Sequence, residues 1–326
     1  MKKYLPYLSA AILFALIFLA LSVGATHIDH LWSALLNPSS NEILWQIRIP
    51  RVGAAVLVGA ALGIAGLMAQ GACNNALAEP AILGTSAGAS LGAVTAVLFG
   101  LVHVGSIGAV VCGAIGALLA TSLTFKLASL RSNLSSFALI IVGIAVSATI
   151  TAIVGLAATM VTRADARSIS FWNFGSLSLI TNENVIALAG VLIIGASIAW
   201  RVAPALDLLS LGDATAFHLG VDTRKVRMMA LIALSILAGG AVSTVGTIAF
   251  LGLAAPHIAR FIYGPAHRYL ILQSALIGAS LLVLADTAAR TVAAPNELPI
   301  GLVTSLIGAP ILIALVSMRN TIWKTP

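Results

Sequence analysis

The sequence predicts an all-α membrane protein of ten transmembrane helices. Three observations carry that prediction: a composition too apolar for water, a series of uncharged runs long enough to cross a bilayer, and a placement of Lys and Arg that favours ten crossings over nine. Of 326 residues, 60% are hydrophobic and 8% are charged, with mean hydropathy +1.08. A soluble domain carries roughly a quarter of its residues charged. The solvent for most of this surface is therefore lipid.

Uncharged runs cover 4–28, 52–78, 80–125, 132–162, 184–200, 228–259, 269–285 and 298–318. A helical crossing needs about 20 apolar residues. Run 80–125 therefore holds two, with a break at Gly100 to Gly105 around His103. In chain order the expected spans are 6–25, 47–72, 81–100, 106–126, 136–160, 182–201, 228–246, 249–263, 269–288 and 299–318. The first, in MKKYLPYLSAAILFALIFLALSVGA, has the layout of a signal peptide ending at Ala25. Its apolar core from Leu8 to Val23 is long for that purpose, and we read it as an uncleaved span.

Run 228–259 as a single helix would be about 48 Å long, against a hydrocarbon core of ~30 Å. Gly239, Gly240, Gly246, Gly252 and Pro256 offer places to break it. The positive-inside rule decides. Ten spans, with both termini cytoplasmic, put twelve Lys and Arg inside and five outside (Arg48, Arg51, Arg163, Arg167, Arg290). Nine spans give nine and eight.

Ten spans also place Leu206–Arg227 inside. It is the longest polar stretch of the chain, with Asp207, Asp213, Asp222, Arg224, Lys225, Arg227 and His218. Gly212 and Gly220 break its helical patterns. Small residues recur at close spacing in GAALGIAG (59–66), GASLGA (88–93) and GAIGA (113–117), which lets helices approach closely in lipid. No linker divides the chain, so residues 1–326 read as one domain.

The net charge of +7 and pI near 9.9 reflect the positive-inside bias, and no nucleic-acid partner is expected. Cys73 and Cys112 lie in apolar spans and read as packing residues, with no metal site. There is no GxxxxGK[ST] phosphate loop, HExxH or GxSxG. Ionisable groups of the kind an ion-coupled carrier keeps at membrane depth are nearly absent. His257 beside Pro256 reads as a cap on broken backbone. Asp286 lies four residues before Arg290, at helical ion-pair spacing. The chain looks like a pathway whose energy comes from a partner, and Leu206–Arg227 is where a partner would act.

Six blocks, WQIRIPR (45–51), NNALAEPAILGTSAGASLGA (74–93), LGDATAFHLGV (211–221), IAFLGLAAPHIARFIYGPAHR (248–268), LADTAAR (284–290) and ELPIGLVTSLIGAP (297–310), carry a resemblance. Together they resemble the permease subunit of bacterial type II ABC importers for iron-siderophores, haem and vitamin B12, the FecCD or BtuC-like family. The resemblance implies a BtuC-like fold of ten transmembrane helices in the bacterial inner membrane. It implies a second permease copy, two cytoplasmic ATPases and a periplasmic or lipid-anchored substrate-binding protein. The chain itself would be no enzyme and hold no cofactor, with ATP and Mg bound by the ATPase. A ferric-siderophore is the expected cargo, with haem and then cobalamin as alternatives.

Site roles follow from the same resemblance. The loop between spans six and seven forms two short coupling helices in the family. Leu211, Gly212, Asp213, Ala214, His218, Leu219 and Gly220 would therefore meet the ATPase. Arg48, Arg51 and Arg290 match outer-face positions that pair with glutamates of the binding protein. Interfacial snorkelling with pairing to Glu42, Asp286 or Glu297 is the other reading. Ser135 and Ser136 match the cytoplasmic gate, and a helix N-cap is a compatible role. The outer segment Val161 to Glu183 has no motif that assigns it; FWNFGSL (171–177) resembles a family pattern only loosely.

Overall fold

The computed structural model describes residues 5–24, 31–36, 41–102, 106–130, 135–160 and 172–322. Every regular element among them is helical. In order these are α1 (Leu5–Ser22), α2 (Leu31–Leu36), α3 (Ile49–Ala72), α4 (Thr85–Leu98), α5 (Ile107–Ala128) and α6 (Ser136–Thr159). They continue as α7 (Asn182–Leu209), α8 (Asp213–His218), α9 (Thr223–Val245), α10 (Leu251–Tyr263), α11 (His267–Thr291) and α12 (Ile300–Ile322). A π-helical turn, Ile43–Arg48, leads into α3, and a 3-10 turn, Pro80–Leu83, precedes α4. Among the described residues, six helices are long and apolar enough to cross a membrane: Ile43–Ala72, α5, α6, α7, α9 and α11. Each remaining stretch expected to cross is also helical. The loop break around His103, the bases Arg163 and Arg167, and residues 161–171 of the unassigned outer segment lie outside the described residues.

Helix α3 is the centre. It packs against α11, α9, α7 and α10. Over the most apolar 18 residues of its span 83% are buried, against 28% in α6. Its small residues are the reason. A Cβ on Gly59 would meet the backbone of Gly278 and Ala279, one on Gly63 the carbonyl of Ser274, and one on Gly66 that of Gly252. Gly88 and Gly92 on α4 meet Gly116 and Cys112 on α5 in the same way. The close approach expected from the spacing of small residues is thus present at both pairs. Helix α1 belongs to this bundle, with Ser9 Oγ donating to Gln273 Oε1 of α11 at 2.8 Å in a buried contact.

Run 228–259 is divided between two helices, α9 and α10. Helix α9 ends at Gly246, whose φ of 80° and contact with the Trp172 carbonyl leave no room for a side chain. The chain restarts at Phe250, and Gly252 and Pro256 lie inside α10. At thirteen residues, α10 is about 20 Å long, too short to cross alone. Its first turn lies against Gly66, six residues before the end of α3, so about 9 Å above that end. Residues 73–84 fold back to the same level. Glu79 accepts the Phe250 N–H at 2.7 Å, and Pro80 packs on Gly252.

Two expectations need correction. Helix α7 was expected to stop at residue 201 but continues to Leu209 through Pro204, because Val202, Ala203, Leu206 and Leu209 are buried against the bundle. In consequence, the loop after it holds one separate short helix, α8, rather than two.

Candidate coupling segment, gate and outer-face cluster

The polar stretch becomes a helix–turn–helix at one end of the bundle. Gly212 at φ 101° and Gly220 at φ 81° bracket α8, in the left-handed half of conformational space that glycine enters without a Cβ clash. Asp213 opens α8, where the helix dipole favours an acid, and His218 closes it. Val221 N–H bonds to the carbonyl of Ala216, which is buried. Ala214, by contrast, is exposed. Leu211, Phe217 and Leu219 are 60%, 71% and 56% exposed. Three large apolar side chains on one short polar segment make a surface suited to a protein partner.

Arg227 is where the structure departs most from expectation. The basic cluster 224–227 reads as a surface anchor, and Arg224 fits that, with its guanidinium 6.0 Å from the ring centre of Phe125. Arg227 instead is 2% exposed. It donates to both carboxylate oxygens of Asp213 at 2.9 and 3.2 Å, to the Ala72 carbonyl at 3.0 Å and to Ser136 Oγ at 3.2 Å. Burial pushes the neighbouring Cys73 thiol up to about 12, with the Arg227 charge pulling it down. Cys73 is fully buried, in keeping with a packing residue. Asp207, at the end of α7, accepts the His267 N–H at 2.9 Å and lies 2.7 Å from its Nδ1, so it caps α11.

The two serines at the start of α6 have distinct contacts. Ser135 Oγ accepts the Ala138 N–H at 3.1 Å, the N-cap geometry. Ser136 Oγ accepts from Arg227. The structure thus brings Ser136 and Asp213 onto one guanidinium.

At the opposite end, Arg48, Arg51 and Arg290 converge, and all are buried, at 4%, 6% and 6% exposure. Arg51 holds Asp286 through Nε and Nη2, at 3.0 and 2.9 Å, and Glu297 through Nη1, at 2.7 Å. The expected pairing of Asp286 with Arg290 is present at 3.6 Å, but Arg51 is the nearer partner. Arg48 donates to the carbonyls of Leu21 and Ser22 at 2.8 and 3.2 Å, and Arg290 to that of Ala20. These are the last carbonyls of α1, which a helix end leaves unpaired. Arg51 pairs with Asp286 and Glu297, Arg290 pairs with Asp286, and Arg48 is held by backbone carbonyls.

Sequence reasoning missed Arg227, Glu79 and Asp207 as site-building residues. Asp222 and Asp213 carried a readable signal, an acid at a helix start. Arg227 and Glu79 did not, because their partners are remote in sequence.

The profile of the FecCD transport family matches residues 12–318. The chain belongs to the FecCD transport family. It is accordingly a membrane transport permease and not an enzyme. It is similar to the iron(3+)-hydroxamate import system permease protein FhuB of Bacillus subtilis (strain 168), 38% identical over 90% of this chain and 77% of that protein. It is 37% identical to the hemin transport system permease protein HmuU of Yersinia pestis, over 92% of each chain. An inward-facing structure of an ABC transporter assigned to the metal-chelate type superposes with a TM-score of 0.85. The two are 28% identical, over 97% of this chain and 99% of that one.

Proposed function

We propose that this chain is the transmembrane permease subunit of a binding-protein-dependent type II ABC importer that passes a ferric-siderophore across the bacterial inner membrane. The family match over residues 12–318 carries the importer reading. The cargo rests on the iron-hydroxamate relative. The hemin relative is nearly as similar, which makes haem the second reading and cobalamin the third. The chain acts as a conduit of ten crossings with cytoplasmic termini and works with a second copy of itself. It carries no cofactor; ATP and Mg act on the ATPase.

Helix α8 and its flanks, Leu211 to Gly220, seat on the ATPase. Their exposed apolar side chains support this role. Ser135 and Ser136 open the cytoplasmic gate helix. The outer cluster of Arg48, Arg51 and Arg290 receives the binding protein. Because those guanidiniums are already paired, a partner carboxylate has to displace one contact. Glu297, whose side chain is 42% exposed, is the accessible one.

The test is uptake into proteoliposomes holding this chain with the ATPase and binding protein expressed beside it. ATP-dependent accumulation of a ferric hydroxamate, unaffected by protonophore, is expected. Accumulation of haem or cobalamin alone overturns the cargo. Protonophore-sensitive uptake without ATP would mean an ion-coupled carrier instead.

A further inference from the structure

One rigid, planar group joins the ends of three helices besides its own. Arg227 on α9 touches Asp213 at the first residue of α8, Ser136 at the first residue of α6, and the carbonyl of Ala72 at the last residue of α3. We propose that Arg227 transmits movement of α8 to the N-terminus of α6, and so links the partner-facing segment to the gate. This rests on the reading of α8 as the ATPase contact.

The asymmetry of exposure supports a transmitting role. The Asp213 side chain is 50% exposed and rides on α8, whereas the guanidinium is 2% exposed. If a partner displaces α8, a guanidinium left behind becomes a buried charge without its counterion, which is strongly unfavourable. The guanidinium therefore follows the carboxylate. Its donors are fixed in one plane, so it cannot turn toward Asp213 and keep its contact with Ser136 unchanged. Ser136 sits directly beside the Ser135 N-cap, where a small shift reorients the first turn of α6. A lysine would supply charge to Asp213 but from a single nitrogen, whereas Arg227 reaches the Ala72 carbonyl, Asp213 and Ser136 from nitrogens spread across one rigid plane.

The reporter is Ser135→Cys, since Ser135 is exposed, in the nanodisc-embedded complex with the ATPase. Maleimide reaction rates are compared with and without Mg-ATP, after subtracting the labelling of the parent chain. With Arg227 present, Mg-ATP is expected to change the rate several-fold. Arg227→Lys and Ser136→Ala should each bring that change below twofold, with the double variant no worse than Arg227→Lys alone, since both cut one link. A full Mg-ATP response in either variant, or independent effects that multiply in the double, overturns the proposal. Ser136→Ala removes one hydroxyl from a half-buried helix end, so it carries the test if Arg227→Lys does not fold. If the parent chain with the reporter binds no ATPase, the coupling reading fails and this proposal falls with it. ATPase binding with a lost response in Arg227→Lys separates the two.

Discussion

Arg51 on α3 and Asp286 on α11 are 235 positions apart and face each other through a forked contact, Nε and Nη2 both converging on Oδ1. Asp286 is 1% exposed and is also the counterion of Arg290. The cluster is therefore organised about the acid. Asp286→Asn leaves two buried guanidiniums without their shared charge, and should cost about 3–5 kcal/mol. Arg51→Met leaves Asp286 with Arg290 and should cost less. Thermal unfolding of the two variants in detergent checks the order; the reverse order would mean that Arg51 is the centre.

Packing of α3 on α11 depends on the absence of side chains. Gly63→Leu must push apart α3 and α11, because its Cβ meets the Ser274 carbonyl. Overpacking costs about 1–3 kcal/mol where neighbours can yield, and backbone yields least. Gly190 on α7 meets nothing within 4 Å, so Gly190→Ala should be neutral or stabilising by up to about 1 kcal/mol. Yield of monodisperse protein and melting temperature distinguish them.

Much of this fold was readable because lipid imposes it. The bilayer sets the length of a crossing, so the stretches expected to cross coincide with helices, six of which among the described residues are long and apolar enough to span. Glycine spacing foretold close packing of α3, α4 and α5, though not which helices they would meet. Helix α7 ran past its expected end because Arg201 and Pro204 look like a boundary, while burial of Leu206 and Leu209 sustains the helix. The turns at Gly212 and Gly220 were legible, being local. Arg227 was not, because its partners Ala72 and Ser136 lie 155 and 91 positions away. Nor was Glu79, which as a lone acid between two apolar runs looks like a solvated loop residue.

The exposed face of α8 should behave as an interface and not as core. Phe217 is 71% exposed, so Phe217→Ala should leave the melting temperature of the isolated chain unchanged. An aromatic anchor at the centre of an interface is worth about 2 kcal/mol or more, roughly a thirty-fold loss of ATPase affinity by the usual conversion. Leu211→Ala should weaken binding less. Titration of detergent-solubilised chain with the ATPase measures both, and unaltered affinity in Phe217→Ala would remove α8 from the contact.

Glu79 gives a test of the broken-helix design. Its Oε1 accepts the Phe250 N–H at the start of α10, about two turns in from the end of α3 and inside the bundle. No water is expected to replace it there, so the free N–H of a half-helix must find its partner in the protein. Glu79→Gln keeps an acceptor oxygen at the same reach, though it gives up the charge that the helix dipole favours. Glu79→Leu removes the acceptor and leaves the N–H unpaired, at about 1–3 kcal/mol. The expected order of melting temperature is Glu79, then Gln, then Leu. Hydrogen exchange at Phe250 and the first turn of α10 should accelerate in Glu79→Leu, with little change in α3. Equal stability of the Gln and Leu variants would show that Pro80 packing on Gly252, and not the carboxylate, fixes where α10 begins.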